Sequence, residues 1–259
     1  MIEAVLVVFT NPKPGRDADF NDWYTHIHMR DALRFRGSVA AQRFRWSPIQ
    51  AQDYPAGYGW DYLALYDVFD AERFTREHID NALTTRMMVT DAIATDRLND
   101  YHYYPLQFRD NDVERRHEGG VILEQINPKP GREAEFRDWY NDRYLPAAAR
   151  RPGVGSAAFL AFRPHGQLVE FLPEHSHVGI YRIDDDAAIA AWRASDLLTG
   201  ADCVDQATLA ITCWQPMTGR ISEDAVIHTD AAGLAGEEQA RAHMGGNVLT
   251  DRGNELRTH

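Results

Sequence analysis

The chain opens on an apolar, β-branched run without alternation, EAVLVVFT at residues 3–10, which reads as a buried strand. Asn11-Pro12-Lys13-Pro14-Gly15 stops it, because proline cannot join a ladder and glycine relaxes the turn. From Arg16 the period lengthens. Phe20, Tyr24, Ile27 and Asp31 follow at i, i+4, i+7 and i+11 with Trp23 beside them, and Asp17 and Asp19 occupy the dipole-favoured first turn of a helix. VAAQRFRW at 39–46 alternates as a strand, 47–60 is a Pro/Gly loop, and DYLALYDVF at 61–69 is a third strand. Residues 70–97 read as mostly helical, and DYHYYPLQF at 100–108 is a fourth strand. The order is β-α-β-β-α-β, the ferredoxin-like unit, with helices on one sheet face and the other face left to be covered.

The chain then repeats itself. NPKPGRDADFNDWY at 11–24 returns as NPKPGREAEFRDWY at 127–140, with 11 of 14 positions identical. Gly37 answers Gly153, and LALYDV answers VGIYRI. A period near 116 residues is too long for a solenoid and suits two copies of one small domain. The expected fold class is therefore α+β: two tandem ferredoxin-like repeats packed sheet to sheet as an α+β barrel. The repeats span 1–118 and 119–220, joined by the polar stretch 109–118, and 221–259 is a tail that is either an arm over a neighbouring surface or loose chain.

Composition narrows the chemistry. In 259 residues there are 39 acidic and 27 basic side chains, a net charge of −12, which argues against nucleic acid. No run approaches the roughly 20 apolar residues of a membrane span, and the N-terminus lacks signal-peptide features. Cys203 and Cys213 have no CxxC spacing, so the reading is a reduced, cytoplasmic protein. GxGxxG after a strand, the P-loop, GxSxG and HExxH are all missing, which leaves nicotinamide, nucleotide and serine-hydrolase mechanisms without support.

NPKPGRDADFNDWYTHIHMRDAL resembles the signature segment of the dimeric α+β barrel superfamily, close to EthD-like proteins. The likeness covers most of 1–220. It implies a ferredoxin-like barrel, homodimerisation, and a WYxxxH histidine facing the cleft between helix and sheet. In this sequence that pattern falls on Trp23, Tyr24 and His28, whereas the second copy has Tyr144 at the histidine position. The superfamily holds isomerases, cyclases, lyases, cofactor-free monooxygenases and haem enzymes, so fold does not fix the reaction.

The duplication separates packing groups from chemical ones. Tyr24, His28 and Asp31 lie at i, i+4 and i+7, while the second copy has Tyr140, Tyr144 and Ala147. His28 is the expected acid/base, oriented by Asp31 and assisted by Tyr24, against the plainer reading of a surface His-Asp pair. Trp23, Arg43, Tyr62, Tyr66, His78 and His102 are the expected substrate contacts, although a salt bridge from Arg43 to Asp61 or Asp67 and aromatic core packing are the duller accounts. His26 and His28 at i, i+2 cannot share an ion on a helix; His175 and His177 would share a strand face, but no metal is expected. The 47–60 loop is a candidate lid. The reading is an enzyme without cofactor, a lyase or isomerase moving protons on a phenolic, lignin-derived or polyketide-like aromatic in aromatic compound catabolism. The alternatives are a cofactor-free monooxygenase of phenols, a haem protein, or a non-enzymatic binding or assembly module.

Overall fold

The computed structural model describes residues 2–54, 56–84, 87–110, 119–195 and 197–244. The first half runs β1 (Ala4–Pro12), α1 (Asp17–Trp23), a π-helical turn (Tyr24–His28), α2 (Met29–Leu33), β2 (Ser38–Trp46), β3 (Tyr62–Val68), α3 (Ala71–Leu83) and β4 (Ile93–Asp110). The second runs β5 (Gly120–Ile126), α4 (Glu133–Trp139), a π turn (Tyr140–Tyr144), α5 (Leu145–Ala149), β6 (Val154–Phe162), β7 (His177–Ile183), α6 (Ala187–Arg193) and β8 (Ala210–Pro216). β9 (Ile221–Ser222), a third π turn (Ala225–Thr229) and α7 (Ala231–Met244) complete the described chain.

Eight of these strands close into an antiparallel barrel, ordered β3-β1-β4-β6-β7-β5-β8-β2 with β2 paired back to β3. Two seams join the halves. β4 pairs β6 from Tyr103–Phe162 to Asp110–Ser156, and β2 pairs β8 over Phe44–Pro216 to Trp46–Trp214. Closure gives each of these eight strands two neighbours, which removes the exposed edges that invite aggregation. Gly120 stands at the entry to β5 with φ +123°, where a Cβ would lie 2.3 Å from the Trp214 carbonyl oxygen.

Alternation along the strands divides the core. Val5, Val7, Phe9, Leu65, Leu123, Leu160 and Trp214 fill the barrel interior. Leu6 and Val8 face outward to Phe20, Tyr24, Ile27 and Phe74. Ile122 and Ile126 meet Phe136, Tyr140 and Trp192 in the same way. β1 is apolar throughout because both its faces are covered. The expected helix over 70–97 is shorter: α3 ends at Leu83, and β4 starts at Ile93, which pairs with Pro12 across a register shift. The end of β1 needs a ladder partner, and that pairing overrides local helical preference.

Residues 111–118 of the expected connector lie outside the described residues, as do 245–259 of the tail. The described tail is an arm on the first half. The Arg30 guanidinium, 2 % exposed, reaches Asp230 at 2.6 Å and Glu237 at 2.9 Å. Glu237 also accepts from Arg34 at 2.7 Å and Arg241 at 2.8 Å. Burial pushes the Glu237 carboxyl up, but hydrogen bonds from Arg34, Arg30 and Arg241 outweigh it and hold it down at about 2. Among the described residues no helix is long and apolar enough to cross a membrane.

Glu237→Ala leaves Arg30 and Arg34 short of a partner in the docked arm and is expected to destabilise the fold by about 3 kcal/mol. Urea unfolding of the full chain measures this, with Glu238→Ala on the same helix as the near-neutral control.

Candidate functional site

The outer face of β1, β3 and β4 does not pack flush against the helices above it. A cavity of about 180 Å³ remains there, lined by Leu6, Val8, Tyr66 and Asp100 from the strands and by Trp23, Tyr24, His28, Phe74 and His78 from the helices. Met87, Val89, Thr10, Thr95, Ile93 and Ala32 complete most of its wall, and Leu168 enters from the second half of the chain.

The π turn shapes the helical wall. The amide of Met29 donates to the carbonyl of Tyr24, five residues back, so the turn holds one residue more than an α-turn. Tyr24 and His28 both face the cavity, their rings edge-to-face at 4.8 Å, and the Trp23 indole stacks on His28 at 4.6 Å. Trp23 is pinned in turn by its Nε1–H donating to the Met88 carbonyl at 2.8 Å. The Arg43 guanidinium lies 4.2 Å from the Tyr24 ring centre, and the Tyr66 hydroxyl donates to that of Tyr24 at 3.3 Å.

The extra residue rotates the rest of the helix, and this corrects the expected role of Asp31. A uniform α-helix would stack Asp31 over His28 and Tyr24; beyond the π turn it points elsewhere. Its carboxylate meets Arg241 at 2.5 Å, Arg34 at 3.3 Å and the Met88 amide at 3.4 Å. It lies outside the cavity lining and ties the arm to the fold.

The other expected contacts divide. Trp23, Tyr66 and His78 line the cavity. Arg43 does not: it is wholly buried behind Tyr24 and donates to Thr25 at 2.5 Å and Asn21 at 2.9 Å, not to Asp61 or Asp67. Tyr62 also falls outside, its hydroxyl donating to Asp17 at 2.6 Å. His102 sits just behind the lining against Phe74, fully buried, with neither ring nitrogen partnered among the described residues. Both Arg43 and His102 are displaced for one reason: their strand positions face the helices, but larger aromatic rings stand between them and the open space.

The 47–60 loop is likewise no part of this wall. Tyr54 donates to the Ile211 carbonyl at 3.0 Å and Gln50 to that of Cys213 at 2.9 Å, so the loop is fastened along β8. His175 contacts the Thr208 carbonyl oxygen at 2.7 Å, and among the described residues no cluster of His, Cys, Asp and Glu is arranged to hold a metal.

Sequence reasoning missed Asp100, which the strand register explains. Asp100 on β4 pairs with Val8 on β1, and both face the helices. Its Oδ1 is buried without a partner among the described residues, and burial pushes the carboxyl up to about 7. His28 and His78 also bury an unpartnered Nδ1. Burial, then the charges of His78 and Arg43, push His28 well below the usual imidazole range; burial takes His78 down to about 4 and His102 to about 3. Burial also raises Tyr24 to about 12, so its hydroxyl stays a donor at neutral pH.

The second half offers the contrast. The corresponding cross-strand pair is Glu124 with Ile211, so the carboxylate sits on the other strand. Glu124 is wholly buried and accepts from Tyr140 at 2.6 Å, Trp192 at 2.8 Å, Tyr181 at 3.1 Å and Tyr144. Burial raises its carboxyl, while these donors oppose the rise. Tyr144, at the position of His28, fills this core. One half satisfies its carboxylate with four side chains; the other leaves it facing an open space.

No protein-family profile matches the sequence, and no curated protein matches it. Solved structures do share its fold. One, from Fusobacterium nucleatum and provisionally named a monooxygenase, is 11 % identical, with a TM-score of 0.57 over 85 % of this chain and 97 % of its own. An anthrone oxidase-like protein is 14 % identical, with a TM-score of 0.55 over 86 % and 93 %. A third, from Lactobacillus acidophilus and also provisionally a monooxygenase, is 12 % identical with a TM-score of 0.52 over 86 % and 99 %. The chain thus has the closed ferredoxin-type barrel of these proteins. Their names correct the expectation of a lyase or isomerase: the fold neighbours are oxygenase-like, which favours the alternative reading.

The buried histidines give the fold a defined acid response. Their depressed pKa values supply stability that is present above about 6.5 and lost as pH falls toward 4 for His78 and 3 for His102. Asp100 acts oppositely: its raised pKa favours the fold at acid pH, and that benefit is lost as pH rises through about 7. Replacing His102 with Leu is expected to flatten the fall in Tm between pH 6.5 and 4, removing on the order of 3 kcal/mol of acid sensitivity. Thermal melts across that range measure it; an unchanged slope would place the acid sensitivity in other groups.

Proposed function

We propose that the chain is an oxygenase of small phenolic aromatics that needs no cofactor, related to the monooxygenase-like branch of the dimeric α+β barrel superfamily. In this reading residues 1–118 and 119–220 are two ferredoxin-like repeats that supply in one chain what a dimer supplies elsewhere. The strand orders β4-β1-β3-β2 and β8-β5-β7-β6 and the duplicated NPKPGR segment support that assignment. The names of the fold neighbours support the reaction class, and the carrying observation is the apolar cavity in which Asp100 and His28 keep buried polar atoms without partners among the described residues.

The chemistry asks little of the protein besides protons and dryness. Asp100, near its midpoint at neutral pH, takes the hydroxyl proton, since a base works best with a pKa close to the operating pH. The phenolate passes one electron to dioxygen, and the radical pair combines as a ring carbon–oxygen bond. The proton held by Asp100 goes to the peroxide. His28 removes the ring C–H as the O–O bond breaks, and the hydroxide released takes that proton as water. The sum is phenol plus O₂ giving quinone plus water. His28 is neutral beforehand, which leaves a nitrogen lone pair available, and the forming anion raises its basicity when it is needed. Tyr24 and Tyr66 remain protonated and supply hydroxyls beside the developing oxyanion. Arg43 acts from behind as a positioning residue for Tyr24.

Oxygen uptake with simple phenols tests this. Wild type is expected to consume oxygen with a rate rising as pH passes about 7. Asp100→Asn and His28→Asn should each lose about 100-fold or more, and the Asp100 variant should lose the pH step. Phenols that bind without any oxygen uptake would overturn the reading.

A further inference from the structure

The cavity carries information about substrate size, and one of its walls, Leu168, comes from the second half of the chain. We infer that it is built for a one-ring phenol and that Leu168 sets this limit. The choice of phenols rests on the oxygenase reading; the size limit does not.

Volume gives the first argument. An engineered apolar cavity of about 150 Å³ is enough to bind benzene. The space here is about 180 Å³, enough for one ring with a small substituent. Its walls are mostly hydrocarbon, which suits the ring. Asp100 and His28 supply the buried unpartnered atoms that suit its hydroxyl.

The second argument is that Leu168 cannot easily withdraw. It belongs to the segment between β6 and β7, and the residues just before it are fastened to the first half. The Gln167 side chain accepts from the His102 amide at 2.8 Å and donates to the His102 carbonyl at 2.8 Å, completing a ladder position on β4. The same side-chain amide donates to the Arg163 carbonyl at 2.7 Å, which closes the loop on itself. The Gly166 carbonyl accepts from Thr75 of α3 at 2.7 Å. Gly166 itself has φ +68°, and a Cβ there would lie 2.8 Å from the Tyr104 hydroxyl and 3.2 Å from Ala71, so the backbone is seated against β4 and α3. A side chain on so anchored a backbone is a wall. Phe171 in the same segment is 78 % exposed and outside the cavity lining, so the segment contains its own control.

The experiment uses the full chain as wild type, Leu168→Ala, Leu168→Val and Phe171→Ala, titrated calorimetrically with phenol, 4-methylphenol and 2-naphthol in oxygen-free buffer. Wild type and Phe171→Ala are expected to bind the two one-ring phenols and to bind 2-naphthol at least tenfold more weakly, the scale on which hydrophobic pockets discriminate by size. Leu168→Ala should bring 2-naphthol level with phenol or ahead of it. Leu168→Val should fall between and keeps the test available if the alanine variant is too unstable. The inference is overturned if wild type takes 2-naphthol as tightly as phenol, if both Leu168 variants leave the ratio unchanged, or if no phenol binds. Readmitting oxygen to the same samples separates the two claims: size-selective binding without uptake supports the size limit while removing the oxygenase reading.

Discussion

A carboxylate buried between a helix and a sheet must find donors, take up a proton, or face something that is not part of the protein. Each half of this barrel has one such carboxylate on the same cross-strand pair, and the two meet the constraint differently. Glu124 gathers three tyrosine hydroxyls and an indole N–H, and its surroundings become solid core. Asp100 has no such set among the described residues, and burial raises its pKa to about 7. Leaving a buried polar group unsatisfied costs about 1–3 kcal/mol. A fold that already has the satisfied solution in its other half, and departs from it at one place together with His28 and His78, stores that cost where a polar ligand atom would relieve it.

Much of the architecture was legible in the sequence. The non-alternating β1 and the Pro-Lys-Pro-Gly turn mark a buried strand passing into a helix, as the structure has it, because burial on two faces and turn chemistry are local demands. The end of α3 was not legible: the start of β4 at Ile93 is set by the ladder that Pro12 and Thr10 require, a partner some 80 residues away. Nor was the tail. Its low amphipathicity hides the fact that Glu237 is buried against Arg30 and Arg34, a contact made by charge and not by an apolar stripe.

The site was half legible for a related reason. Trp23, Tyr24 and His28 share the cavity because their spacing falls within one widened turn. Asp31 does not, because i+7 reasoning assumes a uniform helix and the π turn absorbs one residue between them. Asp100 sits on a strand whose neighbours Tyr101, His102 and Tyr103 draw the eye, and only the β1–β4 register shows that it opposes Val8. A signal did exist: Val8 and Glu124 occupy equivalent places in the repeat, so a carboxylate present in one half and missing from the other asks where its counterpart has gone.

The parts of the cavity wall that come from far along the chain obey the same logic. Closing eight strands into one barrel brings the β6–β7 segment over the first half's helices, so Leu168 enters a space built mainly from residues before 101. The arm reaches the same neighbourhood from the other side: Arg241 binds Asp31, whose carboxylate receives the Met88 amide, while Met88 in turn receives the Trp23 indole and its neighbour Met87 lines the cavity. The two halves thus differ where their sequences align: Glu124 is held by four side-chain donors, whereas Val8 stands opposite Asp100 beside an open space, and the β6–β7 segment and the arm support that space.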